Sequence, residues 1–243
     1  MAKEAQRQGK KFRKKKFRSI LYIFWGIGVL LGIIVFGFYR CTKQEAKVEF
    51  EPPQYSGEPY IEVNQNVPFF EETQMGIQEF ETYSELDYLG RCGTAYACVS
   101  KELMPTEERG AIGMIKPTGW HTVKYPEVIE DLYLYNRCHL IAWCLTGENA
   151  NEKNLITGTR YMNISGMLPF EEKVADYIDK TNHHVLYRVT PVYEEKNLIA
   201  SGVLLEAYSV EDQGEGIQFC VYCFNVQPGV EIDYKTGESV LKE

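Results

Sequence analysis

Several common architectures are excluded by what the sequence lacks. No internal repeat is present in the 243 residues, which excludes an array of stacked repeat units. Cysteine pairs at metal-ligand spacing are nearly absent, because Cys220 and Cys223 form a Cys-x-x-Cys that no second pair accompanies. A structural zinc site built from two such pairs is therefore excluded.

Positive charge is scarce outside the N-terminus. Residues 1–18 contain nine of the 26 lysines and arginines and one of the 34 acidic residues, so the rest of the chain carries a net charge of −16. Such a body argues against broad electrostatic adhesion to nucleic acid. A cleft can still be locally positive, and one group of basic residues near the middle of the chain is a candidate strip of this kind. Its members are Arg109, Lys116, Arg137, Lys153 and Arg160.

Charged residues are also absent from residues 20–39, which read ILYIFWGIGVLLGIIVFGFY. About 20 apolar residues in a helix span a ~30 Å hydrocarbon core. The basic cluster precedes this run, so the positive-inside rule places the cluster in the cytoplasm and the body outside. A cleaved secretory signal is the alternative, but its apolar region would be shorter and would end in small residues. We therefore expect an uncleaved single-pass anchor in the cell membrane, with an extracellular body.

The chain divides into four predicted parts. Residues 1–18 form a basic cytoplasmic tail, 19–40 a transmembrane anchor, 41–58 a linker and 59–243 a globular domain. In the globular domain, helices occur among strand runs without strict alternation, which predicts an α+β fold. Strands are predicted at 60–64, 88–100, 132–141, 184–193, 200–210 and 217–226, a helix at 169–180 after a helical piece at 160–167, and a loop at 142–159.

The seven cysteines leave two interpretations open. An extracellular body permits disulfides, although an odd number leaves at least one thiol unpaired within the chain. Cys220 and Cys223 could form a zinc or redox pair. Both lie in a predicted strand, however, where positions three apart point to opposite faces. We therefore favour buried, small apolar side chains for the cysteines.

The residues around His139 carry the clearest chemical signal. They read Asn136-Arg137-Cys138-His139, and an asparagine-rich segment with a glutamate follows. Imidazole has a pKa near neutrality and can accept a proton from an attacking water. Amide and carboxylate oxygens are suitable ligands for a hard divalent cation, and arginine offsets charge on a phosphate. The set therefore contains the parts needed to hydrolyse a phosphodiester.

The order and spacing of these residues resemble a known family. Its hallmark is Asp-Arg-Gly-His, followed by an asparagine, a second asparagine nine residues later and a glutamate eight residues after that. Here Asn154, Asn163 and Glu171 follow His139 at those spacings. The chain is thus similar to the DNA/RNA non-specific endonucleases, which are ββα-metal (His-Me finger) nucleases and include the DNA-entry nucleases of competence systems. The resemblance covers roughly residues 59–243 and is best at 109–175. It implies a central antiparallel sheet.

The resemblance implies a role for each matching residue. His139 is the general base. Asn163 is the direct ligand of one hydrated Mg²⁺ (or Mn²⁺), and Glu171 contacts that metal through water. Asn154 and Arg137 orient the catalytic site.

Two further arginines are candidates for contacts with the substrate. Arg109 lies about where the family has a phosphate-binding arginine, and Arg160 is a candidate catalytic and phosphate-binding residue. The substrate implied is DNA and RNA cut without sequence preference, because no recognition helix, base-reading arm or finger repeat is visible. We predict no protein partner.

The sequence departs from the family motif at two positions. Asn136 replaces the usual aspartate and Cys138 replaces the glycine. On an extended strand both point away from the face of His139, so they occupy supporting positions. Two alternatives remain: a surface DNA receptor of the same fold with impaired cleavage, and a structural zinc or redox protein that uses its cysteines.

Overall fold

The computed structural model describes residues 50–71 and 74–242. The predicted tail at 1–18, the predicted anchor at 19–40 and most of the predicted linker at 41–58 lie outside these residues. Within the described part of the chain, no helix combines the length and the apolar character needed to cross a membrane. The anchor therefore stays a prediction.

A six-stranded antiparallel sheet forms the centre of the domain. In spatial order its strands are β1, β8, β7, β6, β3 and β2. Their bounds are β1 Tyr60–Glu62, β2 Phe80–Tyr83, β3 Ala95–Val99, β6 Val185–Val192, β7 Gly202–Ser209 and β8 Gln218–Phe224. A separate hairpin near the C-terminus pairs β9 (Val230–Ile232) with β10 (Ser239–Leu241). The strand runs predicted at 184–193, 200–210 and 217–226 are confirmed as β6, β7 and β8.

Both faces of this sheet are covered, which explains why its central strands are almost continuously apolar. Val203, Leu205 and Ala207 of β7 belong to the main core, which also contains residues of the long helix. On the opposite face Leu186 packs with Phe70 in a smaller cluster. The buried sheet therefore provides a rigid platform for the elements that follow β3 in the chain.

A second pair of antiparallel strands carries the motif residues. Strand β4 (Tyr135–His139) pairs with β5 (Leu155–Thr159), with His139 opposite Leu155. A short helix α1, Trp143–Thr146, lies in the connection between them. After β5 the chain forms a π-helical segment, Met162–Met167, which continues into α2, Leu168–Thr181. The order strand, strand, helix therefore agrees with the expected ββα arrangement.

The predicted loop at 142–159 is wrong over both α1 and β5. The segment 155–159 has only five residues, follows Asn154 and contains Gly158, so the sequence alone gives a weak strand signal. They form a strand because the backbone of β4 pairs with them along its whole length. Gly158 also permits close packing, since an added Cβ would lie 2.3 Å from the Sγ of Cys138. The two strands thus depend on a small residue at this position.

The predicted helix at 169–180 is confirmed, with bounds one residue wider at each end. Pro169 lies in the first turn of α2, where proline is favoured because its fixed φ suits the helix. Val174 and Ile178 are buried against the sheet, one helical turn apart. Asn182 ends the helix in the left-handed conformation, with φ of 59°. This packing fixes α2 in the same core as Cys138 of β4 and Ile156 of β5.

The described cysteines are all free thiols, and five of the six are buried. Cys223 belongs to the main core, whereas Cys220 lies near the charges of Glu206 and Arg188. The pair therefore faces opposite sides of β8, which does not favour chelation of one metal ion by both. Among the described residues no group of three or more His, Cys, Asp or Glu side chains is arranged to hold a metal.

Candidate active site

The imidazole of His139 is held at the end of β4 by two hydrogen bonds. Nε2 lies 2.8 Å from the main-chain oxygen of Asn149, and Nδ1 lies 3.1 Å from Nη2 of Arg109. A carbonyl oxygen can only accept and a guanidinium can only donate. Nε2 therefore carries the proton, and the lone pair is on Nδ1.

The surroundings of His139 favour its neutral form. The side chain is buried, with 6% of the residue exposed, and this burial lowers the pKa of the imidazole below its ordinary value. The hydrogen bond to Asn149 acts in the opposite direction, and the positive charge of Arg109 lowers the pKa further. A neutral imidazole, with a lone pair on one nitrogen, is the form that a general base requires.

Asn154 braces the backbone directly after His139. Its amide accepts from the N–H of Ile141 at 2.8 Å and donates to the carbonyl of the same residue at 3.0 Å. Its own carbonyl accepts from the N–H of Leu140 at 2.9 Å. The residue is fully buried, and both polar atoms of its amide are used. Asn154 therefore orients the chain at the site, and a metal has no access to its amide.

Arg137 points away from the imidazole and toward a neighbouring segment. Its guanidinium donates to the carbonyls of Ile115 and Gly113, the latter at 3.0 Å. It also stacks on Trp120, with 4.0 Å between the guanidinium carbon and the ring centroid. Arg137 thus fastens residues 113–120 beside β4.

The predicted basic strip is partly neutralised. Arg160 pairs with Asp131, and Lys153 pairs with Glu85 at 2.6 Å. Arg137 is engaged as described above, and Arg109 contacts His139. The five cations therefore do not act as one set of free positive charges. Arg109 is the one that the structure brings into contact with the candidate base.

Asn163 and Glu171 lie in the helical part of the site. Asn163 is in the π-helical segment, is partly buried, and makes no side-chain hydrogen bond to any described residue. Glu171 is in the first turn of α2 with 9% of the residue exposed. Burial raises the pKa of its carboxyl group to about 8, while Arg109 acts to lower it and Glu172 to raise it.

These two residues suit a hard divalent cation. One supplies a free amide oxygen, and the other a buried carboxylate that no described residue engages in a hydrogen bond or ion pair. Oxygen donors of this kind are what Mg²⁺ prefers, and Mg²⁺ characteristically keeps several waters in its coordination shell.

Two functional neighbours have no signature in the sequence. Asn149 fixes the tautomer of His139 through a main-chain oxygen, which any residue could supply. Asp131 pairs with Arg160 across a separation of 29 residues. Asn149 is one of several asparagines, and Asp131 is one of 34 acidic residues. Neither belongs to a sequence pattern that would identify it.

The structure of this chain is similar to solved structures of nucleases. NucA from Streptococcus agalactiae with bound magnesium superposes with a TM-score of 0.69 at 26% identity, over 80% of this chain and 93% of that one. The Sda1 nuclease with a bound zinc ion gives a TM-score of 0.62 at 25% identity, over 76% and 97% of the two chains. The predicted α+β fold with a central antiparallel sheet is therefore confirmed.

Sequence comparison leads to the same class. A deoxyribonuclease from Streptococcus dysgalactiae subsp. equisimilis is 34% identical over 110 residues, which are 43% of this chain and 32% of that relative. The alignment thus spans about a third of that protein's length. The family model for DNA/RNA non-specific endonucleases matches residues 71–211, which is more than half of the chain. The chain belongs to the DNA/RNA non-specific endonuclease family.

Proposed function

We propose that this protein is a metal-dependent endonuclease of the ββα-metal type that hydrolyses phosphodiester bonds in DNA and in RNA. The observation that carries the proposal is the state of His139. Burial lowers the pKa of its imidazole, its tautomer is fixed by Asn149, and its one lone pair faces the guanidinium of Arg109. Membership of the endonuclease family supports the same reaction.

The positions of His139 and Arg109 indicate a separate role for each residue in hydrolysis. In the structure the guanidinium of Arg109 occupies the lone pair on Nδ1. A phosphate entering the site attracts this guanidinium, because a charged pair with a phosphate is stronger than a hydrogen bond to a neutral imidazole. Nδ1 is then free to take a proton from the water that attacks phosphorus. Arg109 meanwhile offsets the charge that builds on the phosphate.

Asn163 and Glu171 would hold Mg²⁺ (or Mn²⁺) beside these residues. When bound, such a cation supplies positive charge that stabilises the transition state and the leaving oxygen. Asn154 keeps the backbone after His139 in place, and Arg137 keeps residues 113–120 in place. Arg160 is proposed as a second contact to the phosphate backbone.

Chelation tests the proposed function directly. The purified full-length chain in detergent should nick supercoiled plasmid DNA and digest a long RNA in Mg²⁺, stop in EDTA, and resume when Mg²⁺ or Mn²⁺ is restored. We expect a smear from a mixed-sequence duplex, because contacts are to phosphate. Cleavage that survives exhaustive chelation would contradict the proposal. Tight DNA binding without cleavage would favour the receptor alternative.

We also propose that residues 19–40 anchor the protein in the cell membrane, with residues 41–243 outside. The uncharged run at 20–39 and the preceding basic cluster support this topology. Protease added to intact cells should remove an epitope at the C-terminus and spare one at the N-terminus. A C-terminal epitope that is digested only after lysis would show the opposite orientation or an internal location.

A further inference from the structure

The ion pair between Arg160 and Asp131 lies at the edge of the site. Arg160 directly follows β5, three residues before Asn163, and its main-chain N–H donates to the carbonyl of Leu134 at 2.8 Å. Its side chain is 35% exposed, and that of Asp131 is 58% exposed. Both partners are therefore open to solvent.

A strained turn holds Asp131 in this position. The N–H of Tyr133 donates to the carbonyl of Asp131 at 2.8 Å, which closes a three-residue turn. Leu132 at its centre has φ of 69°, a conformation that residues other than glycine rarely adopt and that makes such turns strained.

Neighbouring main-chain hydrogen bonds stabilise the strained residue. The N–H of Leu132 donates to Ile129 at 3.0 Å, and its carbonyl accepts from Tyr125 at 2.8 Å. Both of these neighbours are buried in a satellite core that also contains Leu134. A conformation that costs free energy persists only where its surroundings determine it, and such conformations cluster at functional sites.

The carboxylate of Asp131 and a phosphodiester are alternative anions for the same guanidinium. Arginine binds either group through its N–H donors. Exposed ion pairs contribute little to stability, so a phosphate with further contacts in the site can displace Asp131. The displacement nevertheless lowers the affinity for nucleic acid, because the contact of Arg160 with Asp131 must be broken before Arg160 can bind a phosphate.

We propose that Asp131 is an affinity-determining residue that competes with the nucleic acid backbone for Arg160. This inference rests on the proposed function, in which Arg160 contacts phosphate. The strained turn places the carboxylate of Asp131 where a substrate phosphate would bind. The carboxylate therefore lowers the affinity of the protein for its polyanionic substrate. The acidic body of the chain has the same effect at longer range.

Binding of DNA to Asp131→Asn tests the inference. The full-length protein in detergent is mixed with a fluorescent duplex in EDTA, and Kd is measured by anisotropy over a series of salt concentrations. We expect Kd to fall about 3- to 5-fold, in line with the loss of one exposed ion pair. The slope of log Kd against log salt should steepen by up to about 0.9, the value for one added phosphate contact.

Glu130→Gln is the matched control. It removes the same charge from the preceding exposed residue, which forms no ion pair within the described part of the chain. Its Kd should change far less than that of Asp131→Asn.

A double-mutant cycle with Arg160→Ala separates the outcomes. Arg160→Ala should weaken binding, and Asp131→Asn should have no further effect in that background. If Arg160→Ala leaves Kd unchanged, the proposed phosphate contact of Arg160 is wrong. If Arg160→Ala weakens binding but Asp131→Asn does not tighten it, the competition is wrong. The competition is also wrong if Asp131→Asn tightens binding equally without Arg160, or no more than Glu130→Gln does. Digestion under chelation tests the nuclease activity separately.

Discussion

His139→Ala should lower the rate of DNA cleavage about 10²–10⁴-fold, the usual contribution of a general base. The structure gives the reason, because Nδ1 of His139 is a proton-accepting atom whose tautomer is fixed by Asn149. The loss should appear in kcat. Binding of an uncleaved duplex and of Mg²⁺ should stay near wild type, since neither depends on the imidazole. Single-turnover cleavage and anisotropy measure the two quantities.

His121→Ala is the control for this experiment. His121 is exposed and bonds to the main-chain oxygen of Thr236 near the C-terminal hairpin, so its loss should leave cleavage unchanged. Added imidazole should restore part of the activity of His139→Ala and none of any other variant. Near-wild-type cleavage by His139→Ala would overturn the assignment of the base and return the binding-only alternative to first place.

Asn163→Ala should raise the Mg²⁺ concentration needed for half-maximal cleavage at least 10- to 100-fold, roughly the range that even indirect metal contacts cost. The amide of Asn163 has no side-chain hydrogen bond within the described residues, so its oxygen is available to a cation. Calorimetric titration with Mg²⁺ should show the same loss of affinity without any reaction. The phenotype therefore differs from that of His139→Ala, which keeps its metal affinity.

Two further variants complete the test of the metal site. Glu171→Ala should shift the Mg²⁺ dependence in the same direction by a smaller factor, about 10-fold, because its contact is expected to run through water. Ser165→Ala changes a neighbour on the same π-helical segment and should leave the titration unchanged. Equal Mg²⁺ affinity in Asn163→Ala and wild type would remove Asn163 from the metal site, whatever its effect on cleavage.

The order and spacing of the motif residues along the chain were sufficient to identify the family. His139, Asn154, Asn163 and Glu171 lie within 33 residues, so their spacing along the chain reflects one local unit of strand, strand and helix. Longer strands such as β6, β7 and β8 were also predictable, because each is a run of seven or eight mostly apolar residues, most of them buried. In these elements the local signal and the tertiary packing agree.

Strand β5 shows where local information failed. Residues 155–159 lie between Asn154 and Arg160 with Gly158 inside, a composition typical of a loop. Their extended conformation comes from pairing with β4, a partner separated from them by a 15-residue connection. The hairpin of β9 and β10 was missed as well, since each strand has three residues and too little pattern to detect.

The sequence by itself determined the fold class, the family and the identity of the candidate base, because each depends on residue type and spacing within one segment. Only the tertiary structure decided what each side chain contacts. It turned Arg137 toward residues 113–120, gave His139 a main-chain partner at Asn149, and set Asp131 against Arg160. Such contacts join residues through the path of the backbone in space. These contacts cannot be read from the sequence, because every residue has a main-chain oxygen and Asp131 is one acidic residue among many.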